Sequence, residues 1–342
     1  MPEVALASAE PAASSRQRQR PAGWRAVARK ELADHLLSVR LYVLLLLVGL
    51  LGVAAVYAAA GTIREVAPGA TEDPAILLRL FTVAPERFSS FSFLELSFSY
   101  FGIVGLLAPL LGIAFGFDGV NNERAQGTLP RLVSQPIHRD DVINGKFAAG
   151  LAVIALNLLL LTAVVAGLGI LRLGLRPETL EVARLLAYLA VAIAYAAAWL
   201  AFSLLCSVLL RRAATSAMVA IAAWLVFTIF SSVLAGLLAD TIAPAGKDAA
   251  FEQALRNARM EITISRFSPE TLYREATITL LAPDTRSVDI VLPEQADRAV
   301  PGVLTLPQSL LLVWQQITAL VALTITLFAA AYIAFMRQEI RA

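Results

Sequence analysis

The sequence predicts an all-α polytopic membrane protein with six transmembrane helices. Hydrophobic residues make up 58% of its 342 residues and charged residues only 16%, whereas about a quarter of an ordinary soluble domain is charged. The apolar residues are also gathered in long uninterrupted runs. At a rise of about 1.5 Å per residue, each run is long enough to cross the roughly 30 Å hydrocarbon layer of a bilayer.

The segment before the first apolar run is predicted to lie outside the bilayer. Residues 1–20 are rich in Ala, Ser and Arg, a composition typical of a disordered tail. Residues 21–40 are expected to form an amphipathic helix, with Trp24 and Val27 on an apolar stripe and Arg29 on the opposite side. A basic helix of this kind suits the membrane interface. A solvated N-terminal helix is the alternative.

Six spans are predicted, five of them within residues 41–239 and the sixth within residues 308–342. None of the six contains Asp, Glu, Lys, Arg or His. Their bounds are Leu41–Ala60, Phe98–Phe117, Phe147–Leu171, Leu185–Leu210, Ala213–Ala239 and Gln308–Met336. About forty residues precede the first span, and its length exceeds that of a signal-peptide core, so we expect an uncleaved anchor.

The distribution of Arg and Lys predicts the orientation of the chain. With the N-terminus inside, the inner segments carry fifteen Arg and Lys residues and the short outer loops carry six. The positive-inside rule excludes long outer segments from this count. We therefore expect a multi-pass protein of the plasma or inner membrane, with both termini and the 118–146 loop on the cytoplasmic side.

Two outer regions are large enough to hold structure. The first, residues 61–97, is expected to contain a short helix after Pro74. The second is the extracytoplasmic segment of residues 240–307, in which Ser268 is placed to cap a helix and Pro269 to occupy its first position. Pro283 would end this helix, and the stretch SVDIVLP that follows is a candidate strand.

The sequence contains neither a phosphate-binding loop nor the common motifs of metalloproteases and serine hydrolases. The nearest approach to a phosphate-binding loop is Gly145-Lys146, but Phe147 follows where Ser or Thr is required. Neither H-E-x-x-H nor G-x-S-x-G occurs. The lone Cys206 and two distant histidines predict neither a disulfide nor a metal site, and the formal charge of +2 does not suggest a nucleic-acid partner.

The spans also lack the ionisable groups that ion-coupled carriers use at membrane depth to bind and release the coupling ion. An ATP-independent carrier or channel is therefore disfavoured. The sequence instead predicts a translocation body that carries no energy source of its own, no catalytic residue and no cofactor.

A polar loop between the second and third spans is the largest predicted cytoplasmic loop. A short helix from about Thr128 to Ser134 is expected, because Gly127 permits a turn, Thr128 can cap and Pro136 ends the segment. A second helix should begin near His138 and continue into the third span. A push on the short helix would then reach a membrane helix directly, although a passive solvated loop is the alternative.

The loop resembles the inner-loop signature of type-2 ABC transporter permeases, six-span membrane subunits of the exporter class that include the NosY-like proteins. The matching pattern is Glu123-x-x-x-Gly127-Thr128-x-x-x-Leu132-x-Ser134-x-Pro136-x-x-Arg139, followed by Gly145-Lys146. The stretch ARKEL ahead of the first span and SPETLYREAT in the outer segment agree with this family. The resemblance extends from Trp24 to the C-terminus.

This resemblance implies a coupling helix that docks in a groove on a separate cytoplasmic ABC ATPase, which would hold ATP and Mg²⁺. Gly127 and Thr128 would shape the turn, Leu132 would be the apolar anchor, and Arg139 would contact the ATPase or hold the loop. The implied coupling loop comprises Glu123, Gly127, Thr128, Leu132, Ser134, Pro136, Arg139 and Lys146. Pro130 and His138 depart from the family pattern.

The family also implies a second permease copy, as a homodimer or with a similar chain, within membrane lipid. Export of a substrate that the sequence does not identify is the expected function. The alternative is mechanotransmission, in which the ATPase would move the outer segment against an extracellular partner without transporting cargo.

Overall fold

The computed structural model describes residues 23–66, 75–82, 99–127, 138–174, 176–245, 251–282 and 304–338. All regular elements within these ranges are helical. They are α1 (Gly23–Leu36), α2 (Val39–Val66), α3 (Ile76–Thr82), α4 (Tyr100–Gly116), α5 (Asn121–Ala125), α6 (Arg139–Leu173), α7 (Thr179–Leu209), α8 (Ala213–Leu225), a π-helical turn (Val226–Phe230), α9 (Ser231–Ile242), α10 (Phe251–Ser265), α11 (Pro269–Leu281) and α12 (Leu306–Arg337).

Six helical stretches among the described residues are long and apolar enough to cross a membrane, which confirms the predicted fold class. Spans 1 to 6 are Val39–Ile63, Tyr100–Ala125, Arg139–Leu173, Thr179–Leu209, Ala213–Ile242 and Leu306–Arg337. The third begins eight residues before the predicted Phe147, and the fourth six residues before the predicted Leu185. Polar residues at these ends extend the helices beyond the apolar runs that the prediction measured.

Span 4 lies at the centre of the bundle and span 5 at its surface. In the most apolar part of span 4, 72% of the residues are buried, against 6% in span 5. Spans 2 and 4 approach closely at Gly112, where a Cβ atom would lie 2.6 Å from the carbonyl oxygen of Ala196 and 2.7 Å from the backbone nitrogen of Leu200. The absence of a side chain at Gly112 is therefore what allows the two backbones to touch.

The N-terminal helix α1 packs along the first turns of α6. A Cβ atom on Gly145 would lie 2.7 Å from Cβ of Val27 and 2.9 Å from the carbonyl oxygen of Trp24. This close approach buries Val27 and, one turn later, Glu31. The helix is then interrupted at Leu37 and Ser38 before α2 begins.

The outer segment returns into the bundle. Helix α10 runs back along α9, where Nδ2 of Asn257 donates to the carbonyl oxygen of Ala243 at 2.9 Å. Farther along, Oγ of Ser268 donates to the carbonyl oxygen of Phe227 at 2.8 Å. Phe227 is the fifteenth residue of the 30-residue span 5, so the turn between α10 and α11 lies beside the middle of that span.

Helix α11 begins at Pro269 with Ser268 as its N-cap residue, as the sequence predicts. It packs against spans 2, 4 and 6: the ring of Tyr273 stacks on Tyr195 with centroids 4.7 Å apart, and its hydroxyl donates to the carbonyl oxygen of Phe101 at 2.9 Å. Helix α11, which was predicted to be extracytoplasmic, is therefore buried among the spans, whereas α10 has no buried residue. The candidate strand lies outside the described residues.

Two charged residues at the start of span 4 connect helices at the end of the bundle that is predicted to face outward. Arg184, only 1% exposed, donates to the carbonyl oxygens of Leu280 and Leu304 and thereby ties the end of α11 to the start of span 6. Glu181 accepts a hydrogen bond from the backbone nitrogen of Leu77 at 3.1 Å. Both residues lie just outside the predicted span and inside the actual helix.

Candidate functional site

Three elements meet at the buried ammonium group of Lys146, at the end of the bundle that is predicted to be cytoplasmic. Its side chain is 5% exposed, and Nζ lies 3.0 Å from Oε1 of Glu31 and 2.7 Å from Oε1 of Glu123. Glu31 belongs to α1, Glu123 to α5 and Lys146 to α6. These residues, the Lys146 triad, join the N-terminal helix to the start and the end of the polar loop.

The surroundings of Glu31 favour its ionised form. Burial opposes the charge on Glu31, but the adjacent ammonium of Lys146, together with that of Lys30 at 3.2 Å, outweighs this effect and holds the pKa of Glu31 below its ordinary value. Glu31 therefore remains ionised at neutral pH. A charged hydrogen bond of this kind is stronger than a neutral one.

The residue Gln338, immediately after span 6, makes a second set of connections. Its side-chain oxygen accepts from Arg124, and its backbone oxygen accepts from Nη2 of Arg139 at 2.8 Å. Its Nε2 atom donates to the carbonyl oxygen of Val208 at 2.6 Å. The guanidinium of Arg139 also lies over the ring of Phe335, 5.9 Å from its centroid. Both described ends of the loop are thus fastened to spans 4 and 6.

An apolar cluster and a hydroxyl cap support these polar contacts. The cluster joins the ends of spans 2, 3, 4 and 6 that are predicted to be cytoplasmic. It consists of Val120, Val142, Ile143, Leu204, Val208, Ala331 and Phe335. Next to it, Oγ of Ser207 accepts hydrogen bonds from the backbone nitrogens of Val120 and Asn121 at 2.9 and 3.2 Å. These bonds satisfy backbone donors at the start of α5 that would otherwise be unpaired.

The two ends of the polar loop have the local structure expected of them. Gly127 has a φ of +64°, the left-handed conformation that glycine adopts without steric cost. The chain becomes helical again after His138, whose backbone nitrogen donates to Oδ2 of Asp141 at 3.1 Å. Residues 128–137 lie outside the described residues, so the roles of Thr128, Leu132, Ser134 and Pro136 stay predictions.

The three other predicted site residues, Glu123, Arg139 and Lys146, make polar contacts within the chain. Glu123 contacts Lys146 directly, whereas Arg139 binds the end of span 6. All three use polar atoms for contacts within the chain, which suits residues that hold the loop in position. Glu31 was not among the predicted site residues, although it lies one turn after Val27 on the apolar stripe of α1, where an isolated carboxylate is a usable signal.

Comparison with known protein families decides the class of this protein. The family described as ABC-2 family transporter protein matches residues 25–340, which is nearly the whole chain. The chain belongs to this family. No curated protein matches it.

Membership of the ABC-2 family makes this chain a membrane subunit of an ABC transporter, and such subunits are not themselves catalytic. With its six apolar helices, it is a multi-pass membrane protein. The family match confirms the resemblance found in the inner-loop pattern, while the NosY-like subgroup stays a prediction. The family also implies a partner ATPase and usually a dimer.

Proposed function

We propose that this ABC-2 protein is the permease of an ATP-driven exporter and that a separate cytoplasmic ATPase docks on its 121–139 loop. The observation that carries the proposal is the Lys146 triad, because it joins the start of that loop, and the helix α6 that follows the loop, to the N-terminal helix. ATP and Mg²⁺ would bind to the ATPase chain. This chain would lie in the cell membrane with both termini in the cytoplasm.

A load on the loop has a direct route into the bundle. The loop ends at the first residue of α6, and α6 continues without a break from Arg139 to Leu173. At about 1.5 Å per residue, a helix of this length extends roughly 50 Å. A displacement at its N-terminus therefore moves span 3 as a body, and the Lys146 triad moves α1 with it.

The contacts of Gln338 would carry the same displacement to spans 4 and 6. We propose that closure of two ATPase chains pulls the loops of two permease copies together, and that the spans rearrange around a pathway between the copies. The largely uncovered apolar surface of span 5 is available for a second copy.

Mechanotransmission to an extracellular partner is less well supported. That function needs an outer segment that moves apart from the spans, whereas α10 and α11 pack against spans 2, 4, 5 and 6 through Ser268, Tyr273 and Arg184. Stimulation of the ATPase by cargo in liposomes would favour transport, and stimulation by an outer protein alone would favour mechanotransmission.

The docking surface is tested by changing Leu132 to Asp. Burial of a Leu side chain contributes about 1.5–3 kcal/mol, and a carboxylate forced into the same contact adds a desolvation cost. We therefore expect Leu132→Asp to weaken ATPase association by more than about tenfold, since 1.4 kcal/mol corresponds to a factor of ten. The measurement is copurification of the ATPase encoded with this permease, after membrane insertion of the variant has been verified.

The matched control is Arg131→Ala, because Arg131 is predicted to lie at the more solvated edge of the short helix and should contribute much less. If the Leu132→Asp variant retains the ATPase as well as the parent does, the loop is a passive connection and the docking proposal is wrong.

A further inference from the structure

A cleft beside the turn between α10 and α11 has the properties of a hydrocarbon site. It encloses about 250 Å³ where the turn between α10 and α11 meets spans 4, 5 and 6. Its principal lining residues are Trp199, Phe202, Phe227, Phe267, Leu323 and Leu327. Water is disfavoured in a space walled by such side chains, because they offer it few hydrogen-bond partners.

The cleft lies at the depth where a bilayer consists of acyl chains. Phe227 is the fifteenth of the 30 residues of span 5, and Leu323 is the eighteenth of the 32 residues of span 6. Both therefore lie near the middle of their spans. Whatever medium surrounds the protein at this depth is hydrocarbon.

The cleft has a closed floor and an open rim. Trp199 is only 3% exposed, whereas Phe227 is 40% and Phe267 is 81% exposed. The Trp199 ring meets Phe202 and Phe227 edge to face, with centroids 6.0 and 6.5 Å apart. An occupant would thus enter between the two exposed phenylalanines and end against the indole.

We propose that this cleft binds one acyl chain of a membrane phospholipid. A cavity of about 150 Å³ holds a benzene molecule, so the larger volume of this cleft suits a chain segment of more carbon atoms. A transmembrane helix, about 10–12 Å across, is too wide to enter. An empty cleft would forfeit the dispersion contacts that its aromatic walls can make.

The bound acyl chain would support the turn between α10 and α11 from one side. Phe267 belongs to the turn between α10 and α11, while Trp199 belongs to span 4. An acyl chain lying between these two residues would fill the gap that separates this turn from the centre of the bundle. The site is independent of the ATPase, so it can be tested with the permease by itself.

Bromine quenching of Trp199 fluorescence tests the proposal. The chain has four tryptophans, so changing Trp24, Trp224 and Trp314 to Phe leaves Trp199 as the only indole. This variant is reconstituted in phosphatidylcholine vesicles whose acyl chains carry bromine near mid-chain, and in unbrominated vesicles. We expect strong quenching that follows the brominated fraction as a single site does, because the floor of the cleft admits one chain.

Filling the cleft should abolish the effect. Ala223 lines the cleft, and Ala223→Phe in the same background should reduce quenching several-fold. Ala222→Phe is the matched control, because Ala222 is the preceding residue on the exposed side of α8 and its quenching should equal that of the parent. Folding of each variant is checked by size-exclusion elution.

Three results would overturn the proposal. Equal quenching in the folded Ala223→Phe variant would mean that bromine acts from outside the cleft. If the dependence of quenching on the brominated fraction requires several sites, the bromine is carried by lipids at the protein surface and not by one chain in the cleft. This result does not depend on the Ala223→Phe variant. Absence of quenching in the variant with Trp199 as its only indole would mean that no acyl chain enters the cleft. This would occur if a side chain of a second copy occupied it.

Discussion

Replacement of Lys146 by Met removes the one ammonium that Glu31 and Glu123 share. At the observed distances of 3.0 and 2.7 Å, each pair has a Coulomb energy of about 5–6 kcal/mol at an effective dielectric constant of about 20. Much of this energy offsets the cost of burying the ammonium, which is several kcal/mol. Removing one partner of a buried ion pair costs about 3–5 kcal/mol. Because the ammonium of Lys30 stays 3.2 Å from Glu31, we expect a loss at the lower end of this range in the free energy of unfolding.

The assay is equilibrium unfolding of purified parent and variant in mixed detergent micelles. Arg40→Met is the control, because the Arg40 side chain is 50% exposed, while its partner Asp118, 2.6 Å from Nη1, is 15% exposed. Because one partner of this pair is half exposed to solvent, its contribution should lie nearer the roughly 0.2–1 kcal/mol of exposed pairs than the roughly 3–5 kcal/mol of buried pairs. The double variant Glu31→Gln/Lys146→Met should be more stable than the sum of the two single changes predicts, because Glu31 no longer carries a charge when its partner Lys146 is removed.

The reasoning fails if Lys146→Met is no more destabilising than Arg40→Met. Strict additivity in the double variant would likewise show that Glu31 and Lys146 do not act as a pair. Either result would remove the triad as the connection between α1 and the polar loop, and with it the main support for the proposed transmission route.

Three further predictions concern packing, pH and topology. Gly112→Ala should cost about 1–3 kcal/mol or more, because the new methyl meets backbone atoms of span 4 at 2.6–2.7 Å, whereas Gly61→Ala, with no neighbour within 4 Å, should be nearly neutral in the same unfolding assay. The folded-state pKa of Glu31 is lowered, so the stabilisation from its charge should be complete above the ordinary glutamate pKa of about 4.3 and be lost only as pH falls through the folded-state pKa. The difference in unfolding free energy between the parent and Glu31→Gln should therefore stay constant from about pH 7.5 to 5.5. In intact cells, a cysteine replacing Glu252 on α10 should react with an impermeant thiol reagent, and one replacing Gln126 should not.

Each of these predictions has a clear contrary result. Equal stability of the two glycine variants would refute close backbone contact between spans 2 and 4. A stability difference that already shrinks near pH 6 would show that the pKa of Glu31 is raised. Labelling of the Gln126 site from outside would reverse the topology and exclude a cytoplasmic ATPase from the loop.

Local physics explains the part of the fold that could be predicted. A run of some twenty apolar residues is sufficient to make a membrane helix, because an unpaired backbone in hydrocarbon is too costly for other structures. The start of α11 at Pro269 and the turn at Gly127 likewise follow from the backbone preferences of proline and glycine. For the same reason the helix ends were predicted less well: Arg139 and Thr179 begin their helices through polar residues, which an apolar count does not include.

The contacts of the candidate site depend on helix packing. Lys146 was predicted to lie in the coupling loop, but its partner Glu31 is 115 positions away, and only the approach of α1 at Gly145 brings them together. The contact of Arg139 with Gln338 spans 199 positions. A periodic pattern shows which face of a helix is apolar and does not show which helix covers it.

The sequence by itself determined that this chain crosses the membrane six times and that a polar loop precedes its third span, because both follow from the hydrophobicity of contiguous residues. Only the tertiary structure decided that the outer segment returns to Phe227 and that Arg184 lies buried at its base. The physical reason is that hydrophobic transfer acts on each segment separately, whereas close packing and charge pairing require partners that are distant along the chain.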